Sequence, residues 1–265
     1  MREDYERIVK AFFIIKDKVK EVVDNMNIKP SLLSCIEAYI LNSMMVPIVS
    51  SIRKGKDIDI DKHVLRIKKL LSKEDRISKL ITICNLYNEI LTENPNIIVD
   101  VGCGLGLNLI IAKNYIDHPR LLLGIDKDLY FLKVLKKIAN DVDVIQADAL
   151  MLPLREESID VIFCTAVIHE LPNLKAIDEL NRILKNNGIT LISDIVLRYI
   201  PQQIPNAIRR IKIKLGMEPE TFYTYKQLYS KIQSLKMNIK KSITFWKAPI
   251  IGITVIIATK TLVND

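Results

Sequence analysis

Asp100, Gly102, Gly104 and Gly106 fall on alternate positions and carry the first chemical signal in the chain. They close an apolar, β-branched run from Ile97 to Val101 that reads as a buried strand. Leu107 to Tyr115 reads as the helix that follows. Glycines between a strand and a helix let backbone N–H groups and the helix N-terminus come close to a ligand. Asp126 ends the next apolar run, in the phrase Leu-Gly-Ile-Asp. A carboxylate about twenty residues after such a turn can accept both hydroxyls of a ribose. It can equally cap the helix that starts at Leu129. The spacing sets two familiar loops aside. A dinucleotide fingerprint, Gly-x-Gly-x-x-Gly, has Leu107 where its last glycine belongs. A phosphate loop ending in Gly-Lys-Ser/Thr does not match, because Leu107 and Asn108 follow Gly106.

Alternating strands and helices are needed to position these residues, and the sequence supplies them from Asn96 onward. Strands are predicted at Leu121–Ile125, Val142–Ile145, Ile159–Cys164 and Ile189–Ile195, with helices at Leu129–Ala139 and Leu174–Leu184 between them. Alternation of this kind predicts a parallel sheet with crossover helices. Arg198 to Glu220 reads as an irregular or helical insert, Tyr225–Leu235 as a helix, and Ile239–Trp246 with Ile250–Thr259 as a hairpin across Ala248-Pro249. The region before Glu93-Asn94-Pro95-Asn96 contains one glycine, Gly55, and about four helical stretches. These are Glu3–Val23, Leu32–Ser50, Asp61–Leu71 and Lys73–Leu91, with Pro47 placed to kink or end the second. The expected organisation is a helical region over residues 1–94 and an α/β domain over residues 95–265.

The wider composition narrows the class. Of 265 residues, 49% are hydrophobic and 26% charged, so a packed soluble protein is expected. No uninterrupted apolar run approaches the roughly 20 residues that span a membrane, and no transmembrane segment is expected. The opening MREDYERIVK has mixed charge and no signal-peptide core, which predicts a cytoplasmic location. Cys35, Cys84, Cys103 and Cys164 form no Cys-x-x-Cys pair, and no metal site is expected. Cys103 and Cys164 read as buried, inert thiols. The net charge of +8 suits nucleic acid, an anionic surface or simply a lysine-rich solvated exterior.

The ordered motifs resemble those of the class I S-adenosylmethionine-dependent methyltransferases. Asp-x-Gly-x-Gly-x-Gly (100–106) resembles their first motif, and Gln146 to Leu154 (QADALMLPL) the one whose acid meets the adenine amino group. Ser158 to Cys164 resembles the fourth motif, and Arg182 to Ile189 the helix–turn–strand after it. The resemblance spans residues 97 to about 196 and is closest to the small-molecule branch that includes ubiquinone and menaquinone methyltransferases. It implies a doubly wound, mostly parallel seven-stranded α/β sheet, with S-adenosyl-L-methionine as cofactor. It also implies cofactor contacts from Asp100, Gly102, Cys103, Gly104, Gly106, Asp126, Lys127, Asp148, Ala149 and Thr165. For Asp148 the plain alternative is a turn residue capping its own backbone.

Methyl transfer from a sulfonium needs alignment above all, and a base where the acceptor must lose a proton. His169, just past the fourth strand, is the candidate base; His63 and His118 are the other two histidines. Asp194 and Tyr199 rank below it, Glu170 beside it reads as solvent-facing, and Tyr223 and Tyr225 are candidates to line an acceptor pocket. Cys-Thr-Ala-Val-Ile-His follows the fourth strand in place of Asn/Asp-Pro-Pro-Tyr, which argues against amino-methylation of nucleic-acid bases or glutamine. A small or lipid-like acceptor is therefore the first reading. An RNA or protein acceptor, touched by Arg209, Arg210, Lys212 and Lys214, is the second. A catalytically silent cofactor-binding subunit is the third. The helical region is expected to cover the cofactor mouth and select the acceptor, or to form a homodimer contact.

Overall fold

The computed structural model describes residues 2–26, 28–199, 210, 214, 221–247 and 251–261. The predicted insert of 198–220, with Arg209 and Lys212, and the hairpin turn at Ala248-Pro249 lie almost wholly outside these residues. The chain divides into two compact units. One comprises residues 1–95, 104–119 and 128–144; the other comprises 96–103, 120–127 and 145–265.

The first unit is helical. It contains α1 (Arg2–Asp24), α2 (Pro30–Arg53), α3 (Ile60–Leu71) and α4 (Glu74–Leu91). It also contains the two helices that leave the sheet strands, α5 (Leu107–Tyr115) and α6 (Leu129–Ile138). Helix α1 packs on α2 and α6, while α5 packs on α2 and α4. The apolar stripes read from the sequence supply this core, with Ile8, Ile15, Ile36, Met44, Ile48 and Ile90 all but fully buried. Helix α2 runs through Pro47 to Arg53 instead of ending there. Burial of Met44, Met45, Ile48 and Ile52 on both sides of the proline outweighs its missing N–H. Cys35 and Cys84 join α2 to α4 in a disulfide that the scattered cysteine spacing did not signal. Helix α2 is also long and apolar over Leu32–Arg53. More than half of that stretch is buried, which accounts for its apolar face as core.

The second unit carries the sheet. In chain order the strands are β1 (Ile97–Val101), β2 (Leu121–Asp126), β3 (Asp143–Gln146), β4 (Ile159–Thr165), β5 (Leu184–Leu197), β6 (Tyr223–Thr224), β7 (Met237–Trp246) and β8 (Ile251–Lys260). Their spatial order is β3-β2-β1-β4-β5-β8-β7, with β6 beside β5. Strand β1 pairs parallel with β2 and β4, and β4 with β5. Strand β8 runs antiparallel between β5 and β7. The order reverses between β1 and β4, which is where open α/β sheets bind ligands, beyond the carboxyl ends of the strands. Helix α7 (Lys175–Ile183) buries Ile177, Leu180 and Ile183 in the core with Val99, Ile162 and Ile192. Asn187, at a left-handed φ of 62°, makes the predicted turn before the long apolar part of β5. Helix α8 (Tyr225–Ser234) starts on a capping box of Thr224 and Gln227. Strand β6 was not foreseen, because two residues carry no periodicity.

Candidate active site

The glycines after β1 do different work. All three have left-handed φ angles, 69° at Gly102, 50° at Gly104 and 75° at Gly106. A Cβ on Gly102 would collide with the Val167 side chain, and one on Gly106 with Leu135. At Gly104 an added Cβ would meet nothing within 4 Å, so no side chain packs on that side of the turn. The N–H groups of Gly102 and Cys103 both donate to the Ile125 carbonyl, at 2.7 and 2.9 Å. That pair ties the start of the turn to the end of β2, one residue before Asp126.

Asp100 is fully buried. Burial, and then the negative charges of Asp100 and Asp126, push the Cys103 thiol far up, so it stays protonated. Cys164, wholly buried, is held protonated in the same way, with Asp194 and Asp100 as the nearby charges. Both cysteines are thus the inert thiols the sequence implied. Asp126 is half-buried at the end of β2. It is not the cap of α6, since Asp128 takes that role by accepting from the Tyr130 N–H at 2.9 Å. The Ala147 N–H donates to the Asp126 carbonyl at 3.1 Å, which sets the chain after β3 beside the end of β2. Asp148, exposed two residues on, accepts from the Leu150 N–H through Oδ1 at 2.9 Å. It therefore caps its own turn and still presents a second oxygen. Lys127 is exposed and reaches Glu170 at 3.4 Å, while Ala149 and Thr165 are half-buried.

Beyond β4 the chain turns sharply at Ala166, with a left-handed φ of 59°, and lays Val167 against Gly102. Residues Ile168–Glu170 form a short 3-10 turn. Asp194 on β5 holds this turn. Its Oδ2 accepts from the N–H of Ile168 at 2.6 Å and of His169 at 3.3 Å. Its Oδ1 lies 2.8 Å from His169 Nδ1 and accepts from the Ile195 N–H at 2.6 Å. The side chains of His169 and Asp194 are only 12% and 2% exposed. A carboxylate at Nδ1 fixes that nitrogen as the protonated one and leaves Nε2 as the acceptor. Asp194 is too enclosed and too fully engaged to act as a base itself, so it orients His169. The Thr221 N–H donates to the His169 carbonyl at 2.5 Å, and the Tyr223 hydroxyl to the Leu171 carbonyl at 3.2 Å. Tyr225 is turned toward Ser242 at 3.2 Å, and Tyr199 is 78% exposed.

Asp160, in the predicted fourth motif, lies at the opposite end of the sheet. It accepts from the N–H of Ile97 at 2.8 Å and from Lys185 at 2.6 Å. Burial alone would raise its pKa, but Lys185 and the β1 N–H groups outweigh it and hold the carboxyl below its ordinary value. Its role is to lock β1 to β4.

Strand order, glycine turn and strand-end acids together define a class I S-adenosylmethionine-dependent methyltransferase fold. Residues 99–192 match the family described as methyltransferase domain. An uncharacterized methyltransferase-like protein of Schizosaccharomyces pombe is 33% identical over 105 residues, 39% of this chain and 40% of its own length. A tRNA (carboxymethyluridine(34)-5-O)-methyltransferase of Arabidopsis thaliana is 35% identical over 108 residues, 37% of this chain and 24% of its own length. The chain thus spans less than half the length of these relatives. Among solved structures, a geranyl diphosphate methyltransferase in complex with geranyl diphosphate and sinefungin superposes with a TM-score of 0.55 at 10% identity. That match covers 67% of this chain and 77% of the other. The [4+2]-cyclase SpnF superposes with a TM-score of 0.53 at 15% identity, covering 68% and 81%. One fold therefore carries more than one reaction, and function has to be argued from the site.

Proposed function

We propose that this protein transfers a methyl group from S-adenosylmethionine to a small or lipid-like acceptor that gives up a proton, with His169 as the base. The observation that carries this reading is the His169–Asp194 pair, set at the carboxyl end of the sheet beside the switch point. The site also suits the cofactor. Asp126 and Asp148 stand at adjacent strand ends, tied together by the Ala147 N–H bond to the Asp126 carbonyl. Bound there, S-adenosylmethionine would supply an activated methyl group for transfer to the acceptor, with S-adenosylhomocysteine as the other product.

Asp126 would accept the ribose hydroxyls and Asp148 the adenine amino group. The turn at Gly102–Cys103 and the buried Asp100 would lie at the amino-acid end, with Lys127, Ala149 and Thr165 at the margin. Asp194 holds the His169 proton on Nδ1, and Nε2 receives the proton from the acceptor. The turn at 166–170, pinned by β5 and by Thr221, keeps that nitrogen in place. Such positioned bases contribute about 10²–10⁴-fold.

A second reading, an RNA acceptor, is favoured by the Arabidopsis relative, whose name assigns it a tRNA substrate, and by the net charge of +8. Incubating the protein with methyl-labelled S-adenosylmethionine and a cell extract separates the two. Label in the small-molecule or lipid fraction supports the first reading, and label in RNA the second. No incorporation into any fraction would leave only the silent subunit.

A further inference from the structure

The loop of residues 148–154, which carries Asp148, has no regular secondary structure, yet a fork on α7 grips its far end. Arg182 Nη1 donates to the Leu154 carbonyl at 2.8 Å, and Nη2 donates to the Leu152 carbonyl at 2.9 Å. The same guanidinium donates to both oxygens of Glu179, from Nε and Nη2 at 2.8 Å each. Glu179 Oε2 then accepts from the Leu152 N–H at 2.7 Å. Leu152 thus has both of its backbone groups held by one ion pair, and its side chain is buried in the core. Glu179 and Arg182 stand three residues apart, one helical turn, so both reach the same loop. Planar, bidentate pairing of this kind fixes direction as well as distance.

We propose that Glu179 and Arg182 are positioning residues for the nucleobase end of the cofactor. By fixing Leu152 and Leu154, the fork sets the turn in which Asp148 presents its free oxygen to the adenine amino group. This inference rests on the assignment of S-adenosylmethionine as the ligand. Three observations favour it over simple loop packing. The near end of the loop is already tied to β2 through Ala147 and Asp126. Asp148 closes its own turn through Leu150 and through its carbonyl to the Met151 N–H at 3.0 Å. The fork begins one residue later, so the Asp148 turn is held from both sides. Met151 between them is 78% exposed, so apolar burial does not fix the turn at that point.

The test uses the full chain and two ligands that differ only at the base, S-adenosylhomocysteine and S-inosylhomocysteine. The inosine analogue has a carbonyl where adenine has its amino group. Calorimetry on the unmodified protein should find S-adenosylhomocysteine bound about tenfold tighter, the worth of roughly one charge-assisted hydrogen bond. Arg182→Met and Glu179→Gln should bring that ratio close to one, and Arg182→Lys should restore part of it. In an Asp148→Ala background, Arg182→Met should change neither affinity further. If the unmodified protein binds neither ligand, the cofactor assignment itself fails. If it binds both equally, or if a folded Glu179→Gln keeps the full ratio, the positioning role is wrong. Glu179→Gln preserves side-chain shape, so it decides the matter should Arg182→Met fail to fold.

Discussion

Asp148, two residues past the end of β3, and Asp194, near the carboxyl end of β5, are used in opposite ways. Asp148 sits in an exposed loop with one oxygen in its own turn and the other outward. Asp194 is almost fully enclosed, and four hydrogen bonds converge on its two oxygens. The difference follows from where each chain segment goes next. After β3 the chain swings into a solvent-facing loop, so its acid can meet a ligand. After β4 the chain folds back over the end of β5, so the acid there serves that turn. An acid facing solvent keeps an oxygen available, and an acid facing backbone N–H groups sets geometry.

Asp194→Ala should produce the largest change. It strands several buried donors, each costing about 1–3 kcal/mol, and it frees the His169 ring. Thermal unfolding should drop by several degrees, and methyl transfer should fall by about 10²–10⁴-fold. A variant with unchanged melting and transfer would erase the contrast. Gly102→Ala comes next. The new Cβ meets Val167, and the residue is forced to hold a left-handed φ, a strain on the order of 1–3 kcal/mol before any repacking. Cofactor affinity and melting temperature should fall together, and retention of both would show that the turn yields.

Asp148→Ala should sharpen the comparison from the other side. Cofactor affinity should weaken about tenfold while stability hardly moves, because the residue is exposed. The smallest effect concerns acid. Asp160 and Glu179 are held below their ordinary values of 3.8 and 4.5, Glu179 chiefly by its bond from Arg182. A depressed carboxylate stabilises the fold above its unfolded pKa, and that contribution is lost as pH falls through the folded value. Urea unfolding should therefore be insensitive to these two groups near neutral pH and weaken below about pH 4. Lys185→Met should reduce the part that belongs to Asp160.

Much of the fold that carries the candidate site is legible in the sequence. Strands β1, β2 and β4 announced themselves because both of their faces are buried, which leaves a nearly unbroken apolar run closed by a polar residue. Asp126 stands on that pattern, and Asp148 on the resemblance of Gln146–Leu154 to a family motif. The His169–Asp194 pair was not legible as a pair, since the two residues are joined only through the register of β4 against β5. Glu179 and Arg182 lie three residues apart on α7, and nothing in that spacing points to the carbonyls of Leu152 and Leu154. The helical stripes of residues 1–94 were equally clear, but not that α5 and α6 share their compact unit. The buried Tyr87 hydroxyl, which donates to Asn108 at the start of α5, is invisible to periodicity.

The central claim is that the strand-end acids hold the adenosine of S-adenosylmethionine. Calorimetric titration of the full chain with S-adenosylhomocysteine, beside Asp126→Ala, tests it most directly. One saturable site is predicted in the unmodified protein, with affinity about tenfold or more lower in the variant and an unchanged melting temperature. Equal affinity in the two proteins, or binding of a nicotinamide dinucleotide in place of S-adenosylhomocysteine, would contradict it.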